Sequence, residues 1–185
     1  MVKTIVVACF VLLLAIPALA QDDFPRIQTS MGYANLSLPF PDPTTGIIGQ
    51  HHSGFANETS FNLTKTYGLN NYMGIYGMGN GATLISDFFG GKVMYRGEKF
   101  VPYALAGIGF GYFNGVQPTF TNPYSSQSAF GTRIGAGADI PLGDILALKV
   151  EYSRMNFHIG LDPTSSSSWT GGNNITVGVV FTLVN

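Results

Sequence analysis

The chain has 185 residues, a formal net charge of −1, 10% charged residues, 13% aromatics and 24 glycines. Its balanced charge gives no ground for binding nucleic acid, and a soluble domain would carry about 25% charged residues. So few Lys and Glu cannot cover a solvent-facing surface, yet no stretch beyond residue 20 has the roughly 18 consecutive apolar residues of a membrane helix.

The chain opens with a short basic start, Met1 to Lys3, followed by the apolar run "IVVACFVLLLAI", Pro17 and the small-residue site "ALA" before Gln21. This is the pattern of a secretory signal peptide, with cleavage expected after Ala20. Residues 1–20 are therefore set apart from the fold, and residues 21–185 are read as one domain. The only cysteine, Cys9, lies in the leader ahead of most of the apolar run, so a lipid anchor is not expected. Without it, residues 21–185 have no disulfide and no thiolate chemistry.

Beyond the leader, the hydrophobic pattern has a period of two. The first strand is expected from about Arg26 to Leu38. A Pro-rich segment, "PFPDPTTGIIGQHHSG", follows and is expected to be a long loop. "FANETSFNLTK" is the second strand, "TYGLNN" a turn and "YMGIYGMG" the third strand. Asn80-Gly81 signals a hairpin. "TLISDFFGGKVMY" and "FVPYALAGIGFGYF" are the fourth and fifth strands, joined by the tight turn "RGEK". A loop around Pro118 leads to "SAFGTRIGAGADI", the turn "PLGD" and "ILALKVEYSRM". A long polar loop around Ser165 precedes the final strand, "NNITVGVVFTLVN".

About eight strands result, each long enough for a tilted membrane span of roughly 9–11 residues. Short turns alternate with long connections, the Asn80-Gly81 hairpin excepted. That is the pattern of a membrane barrel with short turns on one rim and long loops on the other. The predicted fold is a single antiparallel up-and-down transmembrane β-barrel.

The faces of the strands decide between this and a soluble barrel. Ile175, Val177, Val179, Phe181 and Leu183 form one face of the last strand, opposite Asn174, Thr176 and Gly178. The polar faces carry one or two charges each, diluted by Gly, Ala and Ser. That is poor cover against water but suits a crowded lumen, because side chains can fill the interior of an eight-stranded barrel. Glu58, Lys92, Arg133, Lys149 and Glu151 fall on these inward faces. Charges in a narrow lumen must pair, so a bonded network is expected. Counting from the "PLGD" turn places Arg133 nearly opposite Glu151, with Lys149 one pleat away.

Other features carry less. His51, His52 and His158 lie in expected loops, and no metal or cofactor is predicted from them. His158, Asp162 and Ser165 to Ser168 have the residue types of a hydrolytic triad, but no "GxSxG"-type turn accompanies them. No enzymatic activity is expected. Two aromatic belts are predicted at the lipid–water interfaces. Tyr67, Tyr72, Tyr95, Phe100 and Tyr103 lie toward the short turns, and Phe55, Tyr112, Phe113, Phe130 and Phe157 toward the long loops.

"TVGVVFTL", from Thr176 to Leu183, resembles the assembly signal that ends many bacterial outer-membrane proteins. Thr176, Gly178, Phe181 and Leu183 fit its polar, glycine and hydrophobic positions; the usual terminal aromatic is missing. Together with "NLSLPF", "YGLNNYMGIYG" and "FFGGKVMYRGEKFVPYALAGIGFG", it makes residues 21–185 similar to the small outer-membrane β-barrel domain family, the OmpA- and OmpX-like barrels. The resemblance implies a Gram-negative outer membrane, contact with its lipid, and assembly by the barrel-assembly machinery. It implies no particular activity. The expected role is structural or surface interaction, with the lumen plugged by polar side chains. The alternatives are a narrow channel for ions or small solutes, then a soluble periplasmic lipocalin-like binding barrel, and last a lipid-modifying enzyme.

Overall fold

The computed structural model describes residues 24–42, 46–79, 82–116, 125–159 and 168–184. The expected leader, the Asn80-Gly81 hairpin, Pro118, Asp162 and Ser165 lie outside the described residues. Eight strands follow in order: β1 (Ile27–Asp42), β2 (Gly46–Asn62), β3 (Tyr67–Gly79), β4 (Ala82–Met94), β5 (Val101–Val116), β6 (Ser125–Pro141), β7 (Leu146–Ile159) and β8 (Ser168–Val184). Each pairs antiparallel with the next, and β8 pairs with β1 to close the barrel. Closure leaves no unpaired edge along β1 from Ile27 to Ser37, the condition for a sheet to span lipid.

The ladders fix the stagger. Starting at Ile27, the pairs run through Phe61, Leu69, Gly91, Ala106, Ile134, Arg154 and Asn173 and return to β1 at Ser37. One circuit thus advances by 37 − 27 = 10 residues. Such a stagger requires the strands to lean by about 40° from the barrel axis.

At the closing seam Gly32 faces Gly178. A Cβ on Gly32 would strike the Val177 carbonyl oxygen, and one on Gly178 the Met31 carbonyl. Glycine is required at both positions by this close backbone approach. The seam continues below, where the Arg26 N–H donates to the Val184 carbonyl at 2.7 Å.

Three turn expectations are corrected. The β2–β3 turn is Leu63 to Thr66, and Tyr67 to Asn71 already belong to β3. The Thr64 hydroxyl closes that turn by accepting the N–H of Thr66 at 3.2 Å and of Tyr67 at 2.9 Å. The β6–β7 turn occupies Leu142 to Ile145, with the Leu142 N–H donating to the Leu146 carbonyl, so it lies later than "PLGD" suggested. The Pro-rich "loop" is mostly strand: β1 runs through Pro39 and Pro41 and pairs with β2 up to Asp42↔Gly46. The β1–β8 ladder ends at Ser37↔Asn173, so these prolines sit on a free edge, where a missing N–H need break no ladder bond. Likewise Asn156 to Ile159 extend β7, and Ser168 to Gly172 extend β8, into what was expected to be loop.

Candidate functional site in the lumen

Alternation aims every second residue of each strand into the lumen. Glu58 on β2, Lys92 on β4, Arg133 on β6, and Lys149 and Glu151 on β7 are all buried there. The structure brings these five together and adds Asp139, on the same face of β6 as Arg133. Lys149 Nζ lies 2.6 Å from Glu58 Oε1 and 3.3 Å from Glu151 Oε2. Arg133 Nη2 lies 3.2 Å from Glu58 Oε2 and also donates to Glu151 Oε1. Lys92 Nζ sits 3.6 Å from Glu58 and 3.7 Å from Asp139. Three cations thus face three carboxylates, which limits the cost of removing each from water.

Two tyrosines extend the network. The Arg133 guanidinium stacks 3.8 Å over the Tyr72 ring, and Lys92 sits 3.8 Å over Tyr103. The Tyr103 hydroxyl donates to Glu151 Oε2 at 3.1 Å. Above, the Tyr72 and Tyr76 hydroxyls share a 2.5 Å bond, and Tyr76 donates to Asn174 Oδ1 at 3.0 Å. The Asn174 amide donates to the Thr176 hydroxyl at 3.0 Å. Asp139, Tyr76 and Asn174 were missed as partners, although each shares the parity of a recognised inward residue on its strand or its ladder.

The expected register needs correction. Arg133 pairs with Met155, and Glu151 with Gly137. The displaced β6–β7 turn slides the two apart along the ladder. They meet because the long Arg133 side chain reaches down the lumen toward the short-turn rim.

Above this layer the lumen is largely apolar, with buried His52 and Ser86 as polar exceptions. Leu36, Leu38, Met78, Leu84, Phe88, Phe113, Met155, Phe157 and Ile159 are buried and form one cluster with Tyr72 and Tyr76. Phe157 meets Phe113 edge-on at 5.4 Å and Phe88 at 5.8 Å. Among the described residues, two gaps lie below the charges, toward the short turns. One of about 10 Å³, lined by Glu58, Lys92, Asp139 and Lys149, has room for a single water. The other, about 200 Å³, is lined by Gln28, Arg96, Asp139 and Asp144 at the mouth.

The aromatic belts are half corrected. Tyr67, Tyr95, Phe100, Phe55, Tyr112 and Phe130 are exposed on the outer wall. Tyr72, Tyr103, Phe113 and Phe157 point inward and are buried. Tyr112 and Phe113 are adjacent, and a period of two forbids both from facing lipid. The histidines also separate. His51 is exposed, His52 is buried, and His158 is exposed on β7, 5.3 Å from the Trp169 ring. Of the residues matching the assembly signal, Thr176 and Gly178 face inward. Phe181 and Leu183 face outward near the short-turn end of β8.

A family model described as "Outer membrane protein beta-barrel domain" matches residues 6–182. No curated protein matches the sequence. Among solved structures, the chain is similar to Neisserial surface protein A at 12% identity, covering 85% of this chain and 96% of that one with a TM-score of 0.61. It is similar to Ail, the attachment invasion locus protein of Yersinia pestis, at 15% identity, covering 85% and 97% with a TM-score of 0.55. The E. coli outer membrane protein W gives 13% identity, coverage of 86% and 98%, and a TM-score of 0.51.

Proposed function

The chain belongs to the outer membrane protein β-barrel domain family, and on that premise we propose a closed barrel that serves the envelope structurally or through its surface, without conducting. One observation supports the reading: among the described residues, two stacked layers of buried side chains lie across the lumen. The ion layer from Glu58 to Glu151 holds charges that a passing ion would have to unpair. The apolar layer around Phe157 offers few groups to replace hydration; among the described residues buried His52, whose Nε2 has no partner, and Ser86 are its polar members.

The same reading gives the outer wall to lipid and the last strand to assembly. Thr176, Gly178, Phe181 and Leu183 form the signal that the barrel-assembly machinery recognises. Their placement supports this: Gly178 lies at the closing seam, and the two hydrophobic residues lie at the short-turn end of β8.

Purified protein in planar bilayers should give no discrete conductance steps. Regular unitary steps would sink the proposal and favour the narrow-channel alternative, with the mouth cavity beside Arg96 as its entrance. A companion measurement concerns location. Folded protein should remain with outer-membrane fractions until detergent extracts it, and unboiled samples should migrate apart from boiled ones in SDS.

A further inference from the structure

The outer wall is not uniformly apolar. On β7 and β8 the outward residues from the short-turn end up to Tyr152 and Ile175, namely Leu148, Val150, Tyr152, Ile175, Val177, Val179, Phe181 and Leu183, are all hydrophobic, and polar ones begin at Arg154 and Asn173. On β1 to β4 a polar stripe crosses the same wall. It consists of Thr29, Asn57, Thr59, Asn71 and Asp87, all half-buried on outward-facing positions. Apolar residues flank it on both sides along each strand. Phe61 and Phe55 bracket it on β2, Leu69 and Met73 on β3, and Phe89 and Ile85 on β4. The stripe therefore lies within the band that lipid would cover.

The wall satisfies this stripe only in part. Asn57 Nδ2 donates to the Ser30 carbonyl at 3.0 Å and to Thr29 Oγ1 at 3.4 Å. Asn71 Nδ2 donates to Asp87 Oδ1 at 2.7 Å and to the Phe88 carbonyl at 3.5 Å. Thr29 and Thr59 share a 3.4 Å contact. Among the described residues, no donor reaches Asn57 Oδ1, Asn71 Oδ1 or Asp87 Oδ2. Hydrocarbon has no donor to give them, and polar groups on a lipid face are destabilising. Beside the stripe, outward Gly91 leaves open space where a side chain would stand. A gap there gains nothing against lipid but lets another wall come close.

We infer that the β1–β4 wall is a contact surface for a second copy of this chain. Copies inserted by one route share one orientation, so a two-fold axis between them runs along the membrane normal. Such an axis brings each residue to its own depth on the partner. Asn and Thr each carry donor and acceptor, so Thr29, Asn57, Thr59 and Asn71 can pair with their own copies at that depth, while Asp87 only accepts and needs a partner's amide N–H. The long bonds at 3.4 and 3.5 Å are the ones that a partner's oxygens would replace. Met31 and Met73, exposed on either side, supply adaptable apolar packing.

The inference rests on the membrane placement proposed above, and its test separates the two. Residues 21–185 contain no cysteine, so with Cys9→Ser each introduced thiol is the only one in the chain. Asn57→Cys and Asn71→Cys, oxidised in native membranes, should give a disulfide-linked homodimer at least tenfold above Val177→Cys and Leu148→Cys. A disulfide needs Cα atoms within about 7 Å, so random encounters score low. Equal yields on both walls, no product, or a conjugate with a different protein would each overturn the inference while leaving the membrane placement intact. The triple variant Asn57→Leu, Asn71→Leu, Asp87→Leu should be monomeric by sedimentation in mild detergent while keeping its heat-modifiable band. A folded triple variant that remains dimeric would also overturn it. If the triple variant fails to fold, the cysteine yields decide.

Discussion

The barrel contains two regions built on opposite rules. Toward the short turns, charges and tyrosines fill the interior and the outer wall is largely apolar. Toward the other rim, Leu36, Met78, Phe113 and Phe157 fill the interior. There the outer wall of β1, β2, β7 and β8 carries Asn35, Ser37, His51, Ser53, Asn156, His158 and Asn173. On these four strands the second region is patterned mostly like a water-soluble protein, with Trp169 the apolar exception outside and His52 the polar one inside. The contrast accounts for strands of 13 to 17 residues, where a membrane span needs about ten. The extra length continues the sheet beyond the lipid. In water an apolar core again favours folding, at roughly 25 cal/mol per Å² buried.

The strongest way to break this contrast is to put a charge inside the upper region. Phe157→Asp is expected to destabilise by on the order of 5 kcal/mol, because the carboxylate would have no partner among Phe88, Phe113 and Met155. Asn156→Asp, one residue away on the outside, should change stability by less than about 0.5 kcal/mol. Urea titration in lipid vesicles measures both, and equal losses would end the two-region picture.

Removing a charge from the lower region comes next. Arg133→Ala leaves Glu58 and Glu151 crowded, with only Lys92 and Lys149 to hold them, and should lose about 3–5 kcal/mol. Adding Glu151→Ala should recover part of that loss. Simple additivity in the cycle would mean that the two side chains do not act together.

A third pair of variants locates the boundary on the outer wall of β8. Val177→Arg should cost about 2–4 kcal/mol, and Asn173→Arg close to nothing. Comparable losses at both positions would extend the lipid band up to Asn173. The smallest equilibrium effect is expected from Phe181→Ala with Leu183→Ala, about 1–3 kcal/mol, since both side chains are partly exposed. Their larger consequence should be kinetic, seen as lower membrane yield and accumulation in the periplasm, with Thr182→Ala assembling normally. Unchanged yield of the double variant would remove the assembly role from these residues.

Parity made the barrel legible before any coordinates. Which residues of β2, β6, β7 and β8 share a face follows from alternation alone, and so does the company kept by Glu58, Lys92, Arg133, Lys149 and Glu151. Register was less legible, because it depends on turn closure. One hydroxyl, Thr64, sets the β2–β3 turn several residues earlier than the pattern suggests, and one backbone bond, Leu142 to Leu146, sets the β6–β7 turn one residue later. The apolar upper lumen was hidden for another reason. Its residues are hydrophobic, and residue type alone does not distinguish a phenylalanine facing lipid from one facing a dry interior. Parity puts Tyr72, Tyr103, Phe113 and Phe157 inside; distance from the strand ends does not separate the two faces.

The pair Gly32 and Gly178 has a consequence for how such a ring can be interrupted. Most contacts in the molecule hold by what they contain, and removing atoms weakens them. This one holds by what it lacks. A single methyl there leaves seven of the eight ladders, both lumen layers and the lipid face chemically unchanged, while obstructing the one pairing that turns a curved sheet into a cylinder. Gly178→Ala is thus a wedge in a clasp. It offers a means of holding the chain as an open ribbon and learning which of its properties belong to the ribbon and which to the ring.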